Sequence, residues 1–143
     1  VILGDGSFLE HLMLLTTHIG LENRVYFHKS VPLAELTGYT KGANIGVSLL
    51  EDFNLSKKYA APNKLFEYMH AGLPVISNAT FESEIVFSKF KIGKLTKKDF
   101  SNLSASINAI SKENLEQYKI ECENAAQEYC WENQEKVLLD IVK

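Results

Sequence analysis

The chain has 143 residues, the usual size of one domain with one hydrophobic core. Apolar residues make up 45% and charged residues 23%, which excludes a disordered chain. The net charge of −3 excludes the strongly basic balance of a dedicated nucleic-acid binder. No apolar run approaches the ~18 residues of a membrane span, and no signal peptide opens the chain. The first residue is Val1, and Val1–Leu3 already reads as a buried strand, so the chain is expected to begin inside a domain.

The elements alternate. Val1–Leu3 runs into the turn Gly4-Asp5-Gly6-Ser7. Phe8, Leu12, Leu15 and Ile19 then follow at helical spacing, closed by Gly20. Arg24–Phe27 reads as a short strand. Val31-Pro32 opens a helix with Leu33, Leu36 and Tyr39 on one face. Ala43–Leu50 has the composition of a fully buried strand, and Glu51–Ala61 reads as a loop. Pro62 stands at the favoured first position of a helix that runs to Ala71 and is capped by Gly72. Leu73–Ser77 is a further buried strand. Phe81–Phe87 is a short helix or turn, and Lys91–Leu95 a short strand. From Lys97 onward the pattern is helical, with breaks near Ser111 and Tyr129, and Trp131, Leu138 and Ile141 share a face. Strands alternating with helices imply an α/β domain around a parallel sheet. In such sheets ligands bind at the carboxyl ends of the strands.

Two cysteines, Cys122 and Cys130, lie eight residues apart in a helical stretch. That places their Cα atoms roughly 12 Å apart, beyond the about 7 Å a disulfide allows. Reduced thiols suit a cytoplasmic protein. Neither the cysteines nor the four histidines form a metal-ligand pattern, so no metal is expected. Lys89, Lys91, Lys94, Lys97 and Lys98 fall within ten residues. They read as a solvated face, or as a patch attracted to an anionic membrane surface or a phosphorylated substrate.

The segment richest in chemistry is Ala61-Pro62-Asn63-Lys64-Leu65-Phe66-Glu67-Tyr68-Met69-His70-Ala71-Gly72. Asn63, Glu67 and His70 share one helical stripe, while Leu65, Met69 and Gly72 lie on another side suited to the sheet. A helix N-terminus offers unpaired N–H groups and partial positive charge, which suit a phosphate. A carboxylate farther along the helix can accept hydrogen bonds from two vicinal hydroxyls, such as those of a ribose. The pattern permits a nucleotide site without demanding one; by itself it better fits an ordinary amphipathic helix with a surface Glu.

The run Pro62–Ser77 (PNKLFEYMHAGLPVIS) resembles the carboxyl-terminal half of GT-B glycosyltransferases, specifically the retaining family 4 group. The resemblance extends in order through VILGDGSFLEHL, IGLENRVYFHKSVPLAEL, ANIGVSLL, SNATFESEIV and the late Tyr129-Cys130-Trp131-Glu132. It implies one Rossmann-like donor-nucleotide-binding domain over residues 1–143, with a helical C-terminal segment at about 97–143, and half of a GT-B fold lacking its first strand. A break between the strands at Val1–Leu3 and Ala43–Leu50 is therefore expected. The implied reaction transfers a sugar from a nucleoside-diphosphate sugar to an acceptor hydroxyl on a polysaccharide or lipid-linked glycan. It requires a separate acceptor-binding domain, and the fragment alone is expected to be inactive.

By the same resemblance, Glu67 holds the ribose hydroxyls. Amides around Ala61, Pro62, Asn63 and Lys64 face the diphosphate, and the Asn63 and Lys64 side chains reach phosphate or sugar oxygens. Gly4 and Gly6 let the backbone approach the ligand or simply make the turn. The loop His28-Lys29-Ser30-Val31 borders the base, and Glu84 and Ser83 touch the sugar, Glu84 alternatively capping a helix. The donor is expected to be a UDP- or GDP-sugar with no cofactor or metal. Expected partners are the donor, the acceptor, a peripheral membrane contact at the cytoplasmic face and a second chain at an exposed sheet edge. One departure stands out. Tyr59 occupies the position of the first Glu of the family's Glu-x7-Glu motif. A phenol does not supply a carboxylate's charge at neutral pH. Glu51 or Asp52 could enter from the loop instead. That departure leaves open a non-catalytic nucleotide- or protein-binding module; a sugar-nucleotide epimerase of the same fold would need paired carboxylates and histidines that the chain does not show.

Overall fold

The computed structural model describes residues 1–50, 54–113 and 115–142, the Lys112 side chain aside. The chain divides into two compact units, Val1–Leu36 and Thr37–Lys143. The first contains β1 (Ile2–Leu3), α1 (Leu9–His18) and β2 (Phe27–His28); α2 (Leu33–Lys41) spans the boundary. The second contains β3 (Gly46–Ser48), α3 (Leu55–Lys58), α4 (Asn63–His70), β4 (Val75–Asn78), α5 (Phe81–Lys89), β5 (Gly93–Thr96), α6 (Leu103–Lys112), α7 (Leu115–Glu128) and α8 (Trp131–Val142).

All the strand pairs are parallel, as the alternation of strands and helices predicts. β1 pairs with β2, Ile2 against Phe27, in a two-stranded sheet. The second sheet runs β3-β4-β5, with Val47 opposite Ile76 and Ser77 opposite Leu95. Among the described residues β3 pairs with β4 alone.

The core of the second unit follows from the two faces of β4. Successive side chains of a strand point to opposite sides. Val75 packs on one side with Leu65 and Met69 of α4, Val86 of α5, Ile92, and Cys122 and Ala125 of α7. Ile76 packs on the other with Ile110 of α6 and Tyr118 of α7. Every residue of β4 is buried, the mark of a central parallel strand covered on both faces. β3 departs from the expected fully buried strand. It is short, and Val47 is 42% exposed between buried Gly46 and Ser48, because β3 is an edge of this sheet.

Several boundaries differ from expectation for local reasons. Part of the predicted loop Glu51–Ala61 is helical: Asn54 caps α3 by accepting the Lys57 N–H at 2.9 Å. β2 starts three residues later than predicted and ends one residue later, and Pro32 and Pro62 precede their helices instead of occupying the first turn. Residues 97–102 form a turn, in which the Asn102 side chain accepts the Lys97 N–H at 2.7 Å before α6 begins. The apolar stripes of α1, α2 and α8 are largely exposed: Thr16 is the buried residue of α1, and α2 and α8 bury none.

Two glycines are required by backbone geometry. Gly72, at φ +74°, ends α4. Its N–H bonds to Met69 O and the Leu73 N–H to Tyr68 O, both at 3.0 Å, the paired pattern of a Schellman cap. At Gly93, φ +158°, an added Cβ would collide with the Val75 backbone of β4.

Candidate functional site

In the second unit the carboxyl ends of β3 and β4 are tied by one side chain. Asn78, the last residue of β4, is 1% exposed. Its Oδ1 accepts the Leu50 N–H at 2.7 Å and its Nδ2 donates to Leu50 O at 2.6 Å. The amide thus replaces one rung of the β3-β4 ladder just past the last paired residue, Ser48 against Ser77. Sequence reading missed this residue, because an Asn at a strand end reads as the start of a turn.

Helix α4 carries the residues with most chemical potential. Pro62, extended at φ −68° and ψ 121°, caps it without a side-chain hydrogen bond. Its carbonyl accepts the Leu65 N–H at 2.9 Å. The first-turn amides of Asn63 and Lys64 have no intrahelical carbonyl to reach, so the helix start keeps its donors and partial positive charge. Leu65 and Met69 are fully buried against β4 and α7, which fixes the rotation of the helix. That rotation leaves Asn63, Lys64, Glu67 and His70 exposed. His70 Nδ1 donates to Phe66 O at 2.9 Å. Among the described residues the side chains of Asn63, Lys64 and Glu67 carry no hydrogen bond or ion pair. An open helix start with a carboxylate one turn along the same stripe can take an anion and two neighbouring hydroxyls.

Tyr59, the C-cap of α3, is 55% exposed. Its ring lies 5.6 Å from that of Phe81, the first residue of α5, at 55°. Lys58 Nζ sits 5.5 Å from the centre of the Tyr59 ring, a cation–π contact. Ala61, next to Pro62, is exposed. Thr80 and Ser83 form a capping box at the start of α5. Ser83 N–H donates to Thr80 Oγ1 at 3.2 Å, and Thr80 N–H to Ser83 Oγ at 2.7 Å. Ser83 Oγ also donates to Asn78 O at 2.9 Å. Ser83 is fully buried, so its hydroxyl serves the cap and offers no surface to a sugar. The capping role considered for Glu84 thus falls to Ser83, and Glu84 is exposed one turn beyond Phe81. Glu51 and Asp52 lie outside the described residues.

The first unit holds the other expected residues. Gly4 N–H donates to His28 O at 3.0 Å, joining the glycine turn to the end of β2. Asp5 accepts the Ser30 N–H at 3.2 Å and, in a short contact, the Ser30 hydroxyl. These bonds, the hydroxyl's first, hold the Asp5 carboxyl below its ordinary range, and Lys29 adds to the effect. Gly4 and Gly6 have open space beside them, since an added Cβ would meet nothing within 4 Å. Val31 is half-buried. Sequence reading took Asp5 as a turn former; its clamp on the loop Lys29-Ser30 was not legible there.

No family model and no curated protein matches the chain. Five chains of solved structures do. One is WaaG, a glycosyltransferase involved in lipopolysaccharide biosynthesis, with a TM-score of 0.61 at 18% identity. The match covers 88% of this chain and 32% of that one, so this chain spans about a third of the neighbour's length. The fold of this chain is similar to that of the matching part of this neighbour. The alternation of strands and helices and the parallel pairing had pointed to the same α/β class. Among the described residues no group of His, Cys, Asp and Glu is placed to hold a metal ion, and no helix is long and apolar enough to cross a membrane.

Proposed function

We propose that this chain is the donor-nucleotide-binding domain of a retaining, family 4 glycosyltransferase of the GT-B fold. It binds a nucleoside-diphosphate sugar and, joined to an acceptor-binding domain, transfers the sugar to a hydroxyl of a polysaccharide or lipid-linked glycan. The observation that carries this reading is Glu67, exposed and unengaged on the stripe that begins at the open start of α4. In this assignment Glu67 accepts hydrogen bonds from the two ribose hydroxyls, and the amides of Asn63 and Lys64 face the diphosphate with the Lys64 ammonium. Glu84 reaches sugar hydroxyls. As the sugar departs, charge grows on the leaving phosphate oxygens, and the helix start and Lys64 stabilise it. The donor is a UDP- or GDP-sugar bound without a metal.

Calorimetric titration with UDP, GDP and ADP, repeated on Glu67→Ala, tests the reading. Losing two charge-assisted hydrogen bonds should weaken the preferred nucleotide by about 3 kcal/mol. Equal affinity in the two proteins would remove Glu67 from the site. Tyr59, in place of the motif's first Glu, favours one second reading: a nucleotide-binding module without transferase activity. Nucleotide binding that depends on Glu67, with no donor hydrolysis or transfer by the full-length protein, would support it.

A further inference from the structure

We infer that Tyr59 and Phe81 together form an aromatic contact for the sugar ring of the donor. This rests on the donor-binding reading above. Four observations carry it. The two rings are neighbours at 5.6 Å, yet 55% and 51% of their surfaces face solvent. Each is held there by local structure. Tyr59 terminates α3, its N–H bonded to Leu55 O at 3.1 Å, and Phe81 lies within the Thr80–Ser83 capping box, directly after Thr80. Phe81 also stands three residues past Asn78, the carboxyl end of β4, and Tyr59 stands four residues before Asn63, the first residue of α4. Finally, Lys58 Nζ lies 5.5 Å from the Tyr59 ring centre, so a cation accompanies the aromatic surface.

Ligand sites are lined mainly by apolar and aromatic surface, with a few placed polar groups. Two rings fixed on helix termini, with half their area open, present such a surface at little ordering cost on binding. A pyranose offers a face of C–H groups that packs on an aromatic ring, while its hydroxyls point outward to polar partners. The exposed carboxylate of Glu84 lies one helical turn from Phe81 and is placed to serve as such a partner. A carboxylate selects hydroxyls by accepting their hydrogen bonds; a ring selects area. The proposal therefore predicts that the sugar adds affinity over the bare nucleotide by apolar contact.

The test compares UDP with UDP-glucose and UDP-N-acetylglucosamine, and GDP with GDP-mannose, on the full chain by calorimetry. The variants are Tyr59→Ala, Tyr59→Phe, Phe81→Ala and Glu67→Ala. In the wild type at least one sugar nucleotide should bind more tightly than its bare diphosphate. Tyr59→Ala and Phe81→Ala should each reduce that gain roughly five- to tenfold and leave the bare diphosphate's affinity unchanged. Tyr59→Phe, which keeps the ring, should retain the gain. Glu67→Ala should weaken the diphosphate itself. Full retention of the gain in both alanine variants overturns the aromatic contact while leaving nucleotide binding intact. So does a loss in Tyr59→Phe equal to that in Tyr59→Ala, which would assign the contact to the hydroxyl. A wild type that binds no nucleoside diphosphate overturns the donor-binding reading and this inference with it. Thermal melts separate a structural role: a pair that only props α3 on α5 would lower Tm in the alanine variants and leave the sugar's contribution unchanged.

Discussion

Replacing Asn78 tests how the edge strand of the larger sheet is held. Its amide makes two hydrogen bonds to one residue, with Leu50 N–H and Leu50 O, at 2.7 and 2.6 Å. Asn78→Ala removes both partners at once. A net 0.5–1.5 kcal/mol for each gives about 2 kcal/mol. The Asn78 side chain is fully buried, so its loss also opens a small cavity, for roughly 1 kcal/mol more. Leu50 is only half-buried, and water can reach its freed groups in part, which keeps the sum near about 3 kcal/mol. In a domain of this size that is a fall of roughly 10 °C in Tm. Asn78→Asp keeps an acceptor for Leu50 N–H but sets a buried carboxylate against Leu50 O. Burial raises its pKa in the folded state, so the protonated acid is favoured there. The protonated form can donate to that carbonyl, so the variant should regain stability as pH falls, and lose it as pH rises through the raised value. Urea unfolding at neutral and mildly acid pH measures both effects. A loss below about 1 kcal/mol in Asn78→Ala would show that β3 is held by its ladder and core contacts alone.

Three further outcomes follow from the packing. Gly93→Ala should destabilise by at least about 4 kcal/mol, read as insoluble or unfolded protein, because the new Cβ meets the Val75 backbone and φ is +158°. Burial pushes the Cys122 thiol up to about 12, and the neighbouring Glu121 and Glu123 push in the same direction. An alkylating reagent at about pH 8 should therefore modify Cys130 and spare Cys122 until denaturant is added. Since the folded state holds that proton more tightly than the unfolded one, stability is full below the ordinary thiol range and falls as pH rises toward about 12. A Cys122→Ala variant should lose that alkaline dependence, as alkaline melts would show. Glu113 accepts hydrogen bonds from Lys94, at 2.8 Å, and from the Tyr118 hydroxyl, and both hold its carboxyl below the ordinary range, Lys94 the more strongly. A lowered carboxylate stabilises above the ordinary range and loses that contribution as pH falls through its folded value. Glu113→Gln should flatten the acid limb of the stability profile slightly, because the pair faces solvent.

Much of the fold was legible because it depends on local chemistry. The sequence Gly72-Leu73-Pro74 announces the end of a helix, and the structure places a Schellman cap there, with Gly72 at φ +74°. Leu65 and Met69, four residues apart, predict the buried side of α4, and both are fully buried. Exposure of Asn63 and Glu67 follows by geometry from that burial. The shorter elements were less legible. α3 hides in a polar stretch, because its cap, Asn54, is also a common loop residue. β3 looked like a fully buried strand, since composition does not say which strand becomes an edge. Ser83 looked available to a ligand, since a hydroxyl in sequence gives no sign that it is already bonded to Thr80 and Asn78.

The sequence by itself determined the alternation of strands and helices, the helix end at Gly72, the buried side of α4 and the free thiols of the two cysteines. These rest on periodicity, capping and φ preferences, which act within a few residues along the chain. The tertiary structure alone decided that Asn78 bonds Leu50 across 28 residues, that Asp5 bonds Ser30 across 25, and that Tyr59 meets Phe81. Each of these contacts depends on strand register and helix rotation, which burial of distant apolar residues sets collectively. No local pattern encodes which polar or aromatic side chains that burial will bring together.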